Sequence, residues 1–375
     1  MKRSGFLAPP LLAILLPGCT LFSVGGKPNA PPAGAPSPMG RGFLEFRAAF
    51  HVHCYLSHDS KGRIEVIARA ARNLGIDTVV LNDHYKGGNI ARAPRGVIHG
   101  VLFVPGVEMR LDGGGSILSS PLAADFPRAV NSTDDLLKEF DGQGSANVIG
   151  HVEEVTDWGA GPFHGFEVYN LHAEFSTSSK WKILGRLLYL RADPFFEASI
   201  RTPTANLAAW DRELARGRRL APLGGHDAHA NVVILGITIG TYQEMLRLFS
   251  THILGREWTP RGIAEAIRAG RTFLVFDFLG DGTGFSFTYG DAEAAPCDRV
   301  VLGEQSRWEE GKTLEVRVPE GSGPSTCRVI KDGSVFVETT ASRFQLAASG
   351  PGVYRMEVLK EDRMWIISAP IYLVE

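Results

Sequence analysis

The sequence predicts an α/β protein with an all-β region behind it: βα units around a parallel sheet over about residues 43–285, then a small β-sandwich over 286–375. Three observations carry this. In the first region, apolar runs of strand length alternate with helical patterns, the order that βα units produce. In the second, short alternating strands are separated by Gly and Pro turns. In the first region again, residues with ligand chemistry sit mostly at the C-terminal ends of the apolar runs, and in a barrel of parallel strands those ends converge on one face.

The chain opens with "MKRSGFLAPPLLAILLPGC", a basic start and a short apolar segment broken by Pro9 and Pro10 before a cysteine. Roughly 20 apolar residues are needed to span a bilayer, so residues 1–19 read as a signal peptide. Leu16-Pro17-Gly18-Cys19 resembles the lipobox of bacterial lipoproteins, in which lipid is added to the cysteine after cleavage. A plain secretory signal with an incidental cysteine is the other reading. Thr20 stands where an aspartate would argue for inner-membrane retention, so the expected location is the periplasmic side or the cell surface, anchored to the outer membrane through Cys19. Residues 20–42 are rich in Pro, Gly, Ala and Ser and read as a flexible tether.

The strand-like runs that follow are "FRAAFHVH", "IDTVVLND", "GVLFVPGVE", "SANVIGHVE", "HGFEVYN", "RLAPLGGHD" and "RTFLVFDF". Helical periodicity is clearest in "IEVIARAARNLG", where Ile64, Ile67, Ala68, Ala71 and Leu74 share a face and Gly75 stops the helix. A second helix runs through "RGIAEAIRAG", with Pro260 before it and Gly270 closing it. Beyond 286, Asp332-Gly333 marks a hairpin turn, since Gly accepts positive φ.

Composition narrows the function classes. With 375 residues, 44% hydrophobic and 21% charged, the chain is globular, and disordered or fibrous classes are excluded. A net charge of −2 and no long basic run exclude nucleic acid as a partner. Oligomeric state is not legible. Apart from Cys19, three cysteines remain, Cys54, Cys297 and Cys327; the number is odd, so at least one is free, and Cys297 and Cys327 can bridge.

The ligand-type residues, run by run, are His51 and His53; Asp83 and His84; Glu108; His151; Glu167 and Asn170; Asp227 and His229. On an extended strand His51 and His53 point the same way while Val52 points the other. A set of histidines and carboxylates without thiolate suits Zn²⁺, Mn²⁺ or Fe.

The ordered set "HVH…HDSKG…NDH…PGVE…GH…GGHDAH" over about residues 46–232 is similar to the polymerase and histidinol phosphatase (PHP) superfamily. That resemblance implies a distorted seven-stranded (β/α) barrel with two to three divalent metal ions. It implies that His51, His53, Glu108 and Asp227 bind the first metal. Glu108 would bridge to a second that also takes His151 and His172, with Glu167 as the substitute for His172. Asp59, His84 and His229 would bind a third. With the C-terminal β region attached, the chain looks most like the exported branch that includes the carbaryl hydrolases.

Metals that share a carboxylate can hold a hydroxide between them at neutral pH, with Asp227, His229 and Glu108 as the residues nearest the reaction. Three divalent ions outweigh Asp59, Glu108 and Asp227, so the expected substrate is a small anion. The leading expectation is a phosphomonoesterase or phosphodiesterase. A carbamate or carboxylic ester hydrolase at the same site, and a non-catalytic metal-binding surface lipoprotein, are the alternatives. His58 reads as solvated or as a support to the ligands rather than one of them, His226 as a polar residue on the rim and Cys54 as a buried thiol; His99, His164 and His252 read as surface or packing residues. Tyr85, Lys61 and Arg110 are candidates for substrate contact, against simple solvation.

Overall fold

The computed structural model describes residues 34–123, 132–159, 161–171, 173, 192–234, 237–319 and 323–375. Residues 1–19, read as a signal peptide, most of the stretch read as a tether and His172 lie outside the described residues.

Seven strands close a barrel: β1 (Leu44–Val52), β2 (Thr78–His84), β3 (Val101–Arg110), β4 (Ser116–Ser120), β5 (Ala146–Gly150), β6 (Gly165–Asn170) and β7 (Ala221–Ala228). Neighbours in sequence are neighbours in the sheet, and β7 pairs back to β1. All pairings are parallel except the two made by β4, which runs against β3 and β5. The barrel is therefore the distorted seven-stranded one expected, with one difference in membership. "RTFLVFDF" is a strand, but it lies outside the barrel; the seventh barrel strand is "SILSS", which returns from β3 through a hairpin at residues 111–115.

The barrel interior is packed shut. Phe46, Ala48, Phe50, Val80, Leu102, Val104, Leu118, Val148 and Leu223 fill it, and Ile263, Ala264, Ala266 and Ile267 of a helix at Pro260–Arg268 belong to the same cluster. That helix starts at Pro260 itself, with the Thr259 hydroxyl accepting from the Gly262 N–H, because a proline at the first helical position forfeits no internal hydrogen bond. A filled interior leaves chemistry only the strand ends. The first helix, α1 (Ile64–Asn73), buries Ile64, Ile67, Ala68 and Ala71 as its periodicity requires and stops before Gly75 at φ 67°.

The C-terminal region is a pair of facing sheets. One contains Ser286–Gly290, Thr313–Arg317 and Arg343–Ala347 with the short strand Val300–Val301. The other contains Thr326–Lys331, Ser334–Thr339, Gly352–Lys360, Arg363–Ser368 and Ile371–Val374. Asp332 (φ 49°) and Gly333 (φ 79°) form the expected hairpin turn. The second sheet does not stop at residue 286. Arg363–Ser368 pairs with Thr272–Val275, which pairs with Ser250–Gly255, which pairs with the start of β1. Leu254, Phe273 and Val275 accordingly share one core with Phe287, Val316, Met356 and Trp365.

Two readings need correction here. Residues 34–42 are not tether-like: Met39 is fully buried in that core, and the backbone turns back on itself through Ser37 N–H to Phe43 O. A bridge between Cys297 and Cys327 is absent; Cys327 is a buried free thiol and Cys297 an exposed one.

Candidate metal centre

Eight of the nine residues expected to hold metal converge at the C-terminal end of the barrel; the ninth, His172, is outside the described residues. His51 Nε2 lies 3.3 Å from Glu108 Oε2 and 3.6 Å from Asp227 Oδ1, and His53 Nε2 lies 3.4 Å and 3.3 Å from the same two oxygens. Ligands at about 2.0–2.2 Å from a tetrahedral ion are separated by about 3.3–3.6 Å, the edge of that tetrahedron. The four atoms thus enclose a space of the right size for one cation. On the other side, His151 Nε2 lies 3.3 Å from Glu108 Oε1 and 3.5 Å from Asp227 Oδ2. Asp59 Oδ2 is 3.2 Å from His84 Nε2 and 3.1 Å from His229 Nε2, a third set.

The donor atoms fit metal on chemical grounds as well. His51 Nε2 and His53 Nε2 are buried without a hydrogen-bond partner, which is costly unless something else satisfies them. A cation bound there would do so. His51 Nδ1 meets Glu167 Oε1 at 2.7 Å, a carboxylate partner that favours a proton on Nδ1 and leaves Nε2, turned to Glu108 and Asp227, for a metal. His229 likewise directs Nδ1 to the Asp227 carbonyl at 2.8 Å, and His151 directs Nδ1 to Glu153 at 3.4 Å. Ser57 ties two sets together, its hydroxyl contacting Asp59 Oδ1 at 2.7 Å and His53 Nδ1 at 3.4 Å.

Burial and neighbouring charge act against each other throughout. Burial favours neutral carboxyls, yet the adjacent His51 holds both Glu108 and Asp227 well below the usual carboxylate range. Burial drives His53 down to about 4. His151 goes up to about 10, because Glu108 and Glu153 outweigh its burial. Such opposed shifts in one cluster mark sites built for chemistry.

The backbone bends to assemble the site. His51, His151 and Asp227 adopt φ of 55°, 48° and 49°, in the left-handed region that a non-glycine residue enters at a cost. The β1 pairings to β2 and β7 both slip next to His51, a bulge that re-aims the side chain. The two histidines do converge, but through this kink and not through simple strand alternation.

Three further assignments change. Asp227, expected at the first metal alone, faces the second as well, since its two oxygens point to different histidines. Glu167 does not stand in for His172. Its oxygens are taken by His51, by the His151 N–H at 2.8 Å and by Asn170 Nδ2 at 3.0 Å. His226 is not on the rim; it is fully buried, its ring nitrogens facing Phe50 O and Phe249 O and its ring stacked on Phe249 at 4.2 Å. Asp83 is turned to Cys54, accepting from its N–H at 2.6 Å and its thiol at 3.0 Å; burial raises Asp83 to about 6 and pushes the thiol up, so Cys54 is inert as well as buried.

The centre opens into a pocket of about 380 Å³ walled by Asp59, His84, His151, Asp227 and His229, with Arg110, Glu153, Glu154 and Asn231 further round. Arg110 pairs with Glu154 at 2.5 Å and is largely exposed.

Solved structures similar to this chain include the following two. One, from Bacteroides vulgatus, is a two-domain protein containing a predicted PHP-like metal-dependent phosphoesterase; it is 16% identical with a TM-score of 0.46, over 92% of this chain and 99% of that one. The other, from Bifidobacterium adolescentis, is a proposed metal-dependent phosphoesterase, 13% identical with a TM-score of 0.33, over 53% of this chain and 94% of that one. No protein-family model matches the chain. No curated protein matches it either.

Proposed function

We propose that this chain is a metal-dependent phosphoesterase of the PHP superfamily, belonging to the exported branch that includes the carbaryl hydrolases and held at the outer membrane through lipid on Cys19. One observation supports the chemistry above the rest: Glu108 and Asp227 each present one oxygen toward His51 and His53 and the other toward His151. Two carboxylates so divided are placed to hold two cations side by side. Divalent cations bound there would lower the pKa of water toward neutrality and attract an anionic ester.

The chain's own residues supply the rest. Asp59, His84 and His229 form a further set at the open side, where His84 and Asp59 are 28% and 30% exposed while His51 and His53 are at 0%. An ion held there would meet solvent and substrate first. Arg110 on the pocket wall offers a guanidinium to a phosphoryl oxygen, a fork geometry suited to it. The pocket volume of about 380 Å³ admits a small molecule.

The test is a hydrolase panel on the metal-reconstituted chain, with phosphomonoester, phosphodiester, carbamate and carboxylic ester substrates side by side. Elemental analysis should find at least two equivalents of Zn, Mn or Fe, and turnover should be confined to the phosphate esters. Turnover of carbamate or carboxylic ester alone would replace the phosphoesterase reading by that of an esterase at the same metals. Full metal occupancy with no turnover of any class would leave a metal-binding lipoprotein.

A further inference from the structure

We infer that Glu167 is a positioning residue that sets two of the metal sites with one carboxylate, selecting the His51 tautomer through Oε1 and fixing the His151 backbone through Oε2. The inference rests on the metal-centre reading above and goes beyond it, since Glu167 has no place among the ligands.

Oε1 accepts from His51 Nδ1 at 2.7 Å. A neutral imidazole carries one proton, so a proton committed to Nδ1 leaves Nε2 bare, and Nε2 is the atom 3.3 Å from Glu108 Oε2. Oε2 accepts from the His151 N–H at 2.8 Å, at a residue with φ 48° whose Nε2 faces Glu108 Oε1 at 3.3 Å. Asn170 Nδ2 donates to the same Oε2 at 3.0 Å and completes the clamp. Glu167 is 1% exposed, so water does not compete for these bonds. The space is reserved as well: a Cβ on Gly225 of β7 would lie 1.6 Å from Glu167 Oε1, so only glycine there leaves the carboxylate in place.

Glu167→Gln separates this role from ligation. The amide oxygen can serve the two donors that meet Oε2, His151 N–H and Asn170 Nδ2, and its NH₂ must then face His51 Nδ1. Nδ1 becomes an acceptor, the His51 proton moves to Nε2, and the nitrogen meant for metal is blocked. With Zn²⁺ bound, nitrogen-15 NMR should find the His51 proton on Nδ1 and the metal on Nε2 in the wild type, an arrangement that Glu167→Gln should populate less. Chelator competition with Zn²⁺ should show the most tightly held equivalent weakened about 10- to 100-fold, the scale typical of outer-shell partners, with the total number of equivalents unchanged at saturating Zn²⁺. Gly225→Ala, which displaces the carboxylate without removing its charge, should weaken Zn²⁺ binding in the same direction.

Zn²⁺ affinity within twofold of wild type in Glu167→Gln would overturn the inference. So would loss of one whole equivalent with His51 still protonated on Nδ1, because Glu167 would then be a ligand. If the variant fails to fold, the Zn²⁺-loaded wild type decides: metal on His51 Nδ1 refutes the clamp. None of these readouts uses turnover, so an inactive but metal-loaded protein would refute the proposed hydrolysis and leave this inference standing.

Discussion

Asp227→Asn should reduce turnover of the best panel substrate by at least about 10³-fold while the fold survives, a loss of the size seen when one member of a catalytic set is removed. The amide is nearly isosteric but neutral, and its NH₂ would face either the His51 and His53 Nε2 atoms or that of His151, which Oδ1 and Oδ2 now meet at 3.3–3.6 Å. Since both oxygens face prospective ions, the metal content should fall by at least one equivalent. His226→Ser, one residue away, is the contrast. It touches none of the ligand atoms, so metal content should be unchanged, but it removes a fully buried ring held against Phe249 and should cost about 2–4 kcal/mol in urea unfolding. Near wild-type turnover in Asp227→Asn would remove the basis for the proposed mechanism.

A chain ended at residue 285 should be insoluble. Sequence pattern predicts a sandwich packed against the barrel that contributes no metal ligand, because the region beyond has strands of its own and no histidine, so a soluble truncated piece would keep its metals. The structure bears on the solubility of that piece. Ending there strips Arg363–Ser368 from Thr272–Val275 and bares Met39, Phe43, Leu254, Phe273 and Val275, all buried. An unpaired strand edge beside an apolar face is an aggregation site. Arg355→Ala tests the same junction in the full chain. Arg355 grips Asp211 with two bonds of 2.8 Å and Glu357 with one of 2.6 Å, and lies over Trp210, while being 3% exposed. Removing it leaves two acids without their cation, so unfolding free energy should drop by about 3–5 kcal/mol, with metal content retained in the folded fraction. A soluble 285-residue piece that keeps its metals would show the junction to be dispensable.

The sequence by itself determined which residues meet. In a parallel sheet every strand ends at the same side, so polar residues closing successive apolar runs must gather there, and His51, His53, His84, Glu108, His151, Asp227 and His229 do. It did not determine which runs close the barrel. "RTFLVFDF" reads as a strand because an apolar run reports burial, not the sheet it joins; "SILSS" is overlooked because three of its five residues are serine, although all five are buried and Ser119 is satisfied by Asn147 at 2.7 Å. Composition also misjudged residues 34–42, since a short Pro- and Gly-rich stretch can be ordered by a single buried anchor such as Met39. The orientation of each ligand was decided only by tertiary structure. The left-handed turns at His51 and His151, and the orientation of the His51 and His53 rings, are held by Glu167, Asn82 and Ser57. Asn82 and Glu167 are distant from His51 in sequence and carry no spacing signal, because a hydrogen bond between strands is specified by register and not by order along the chain.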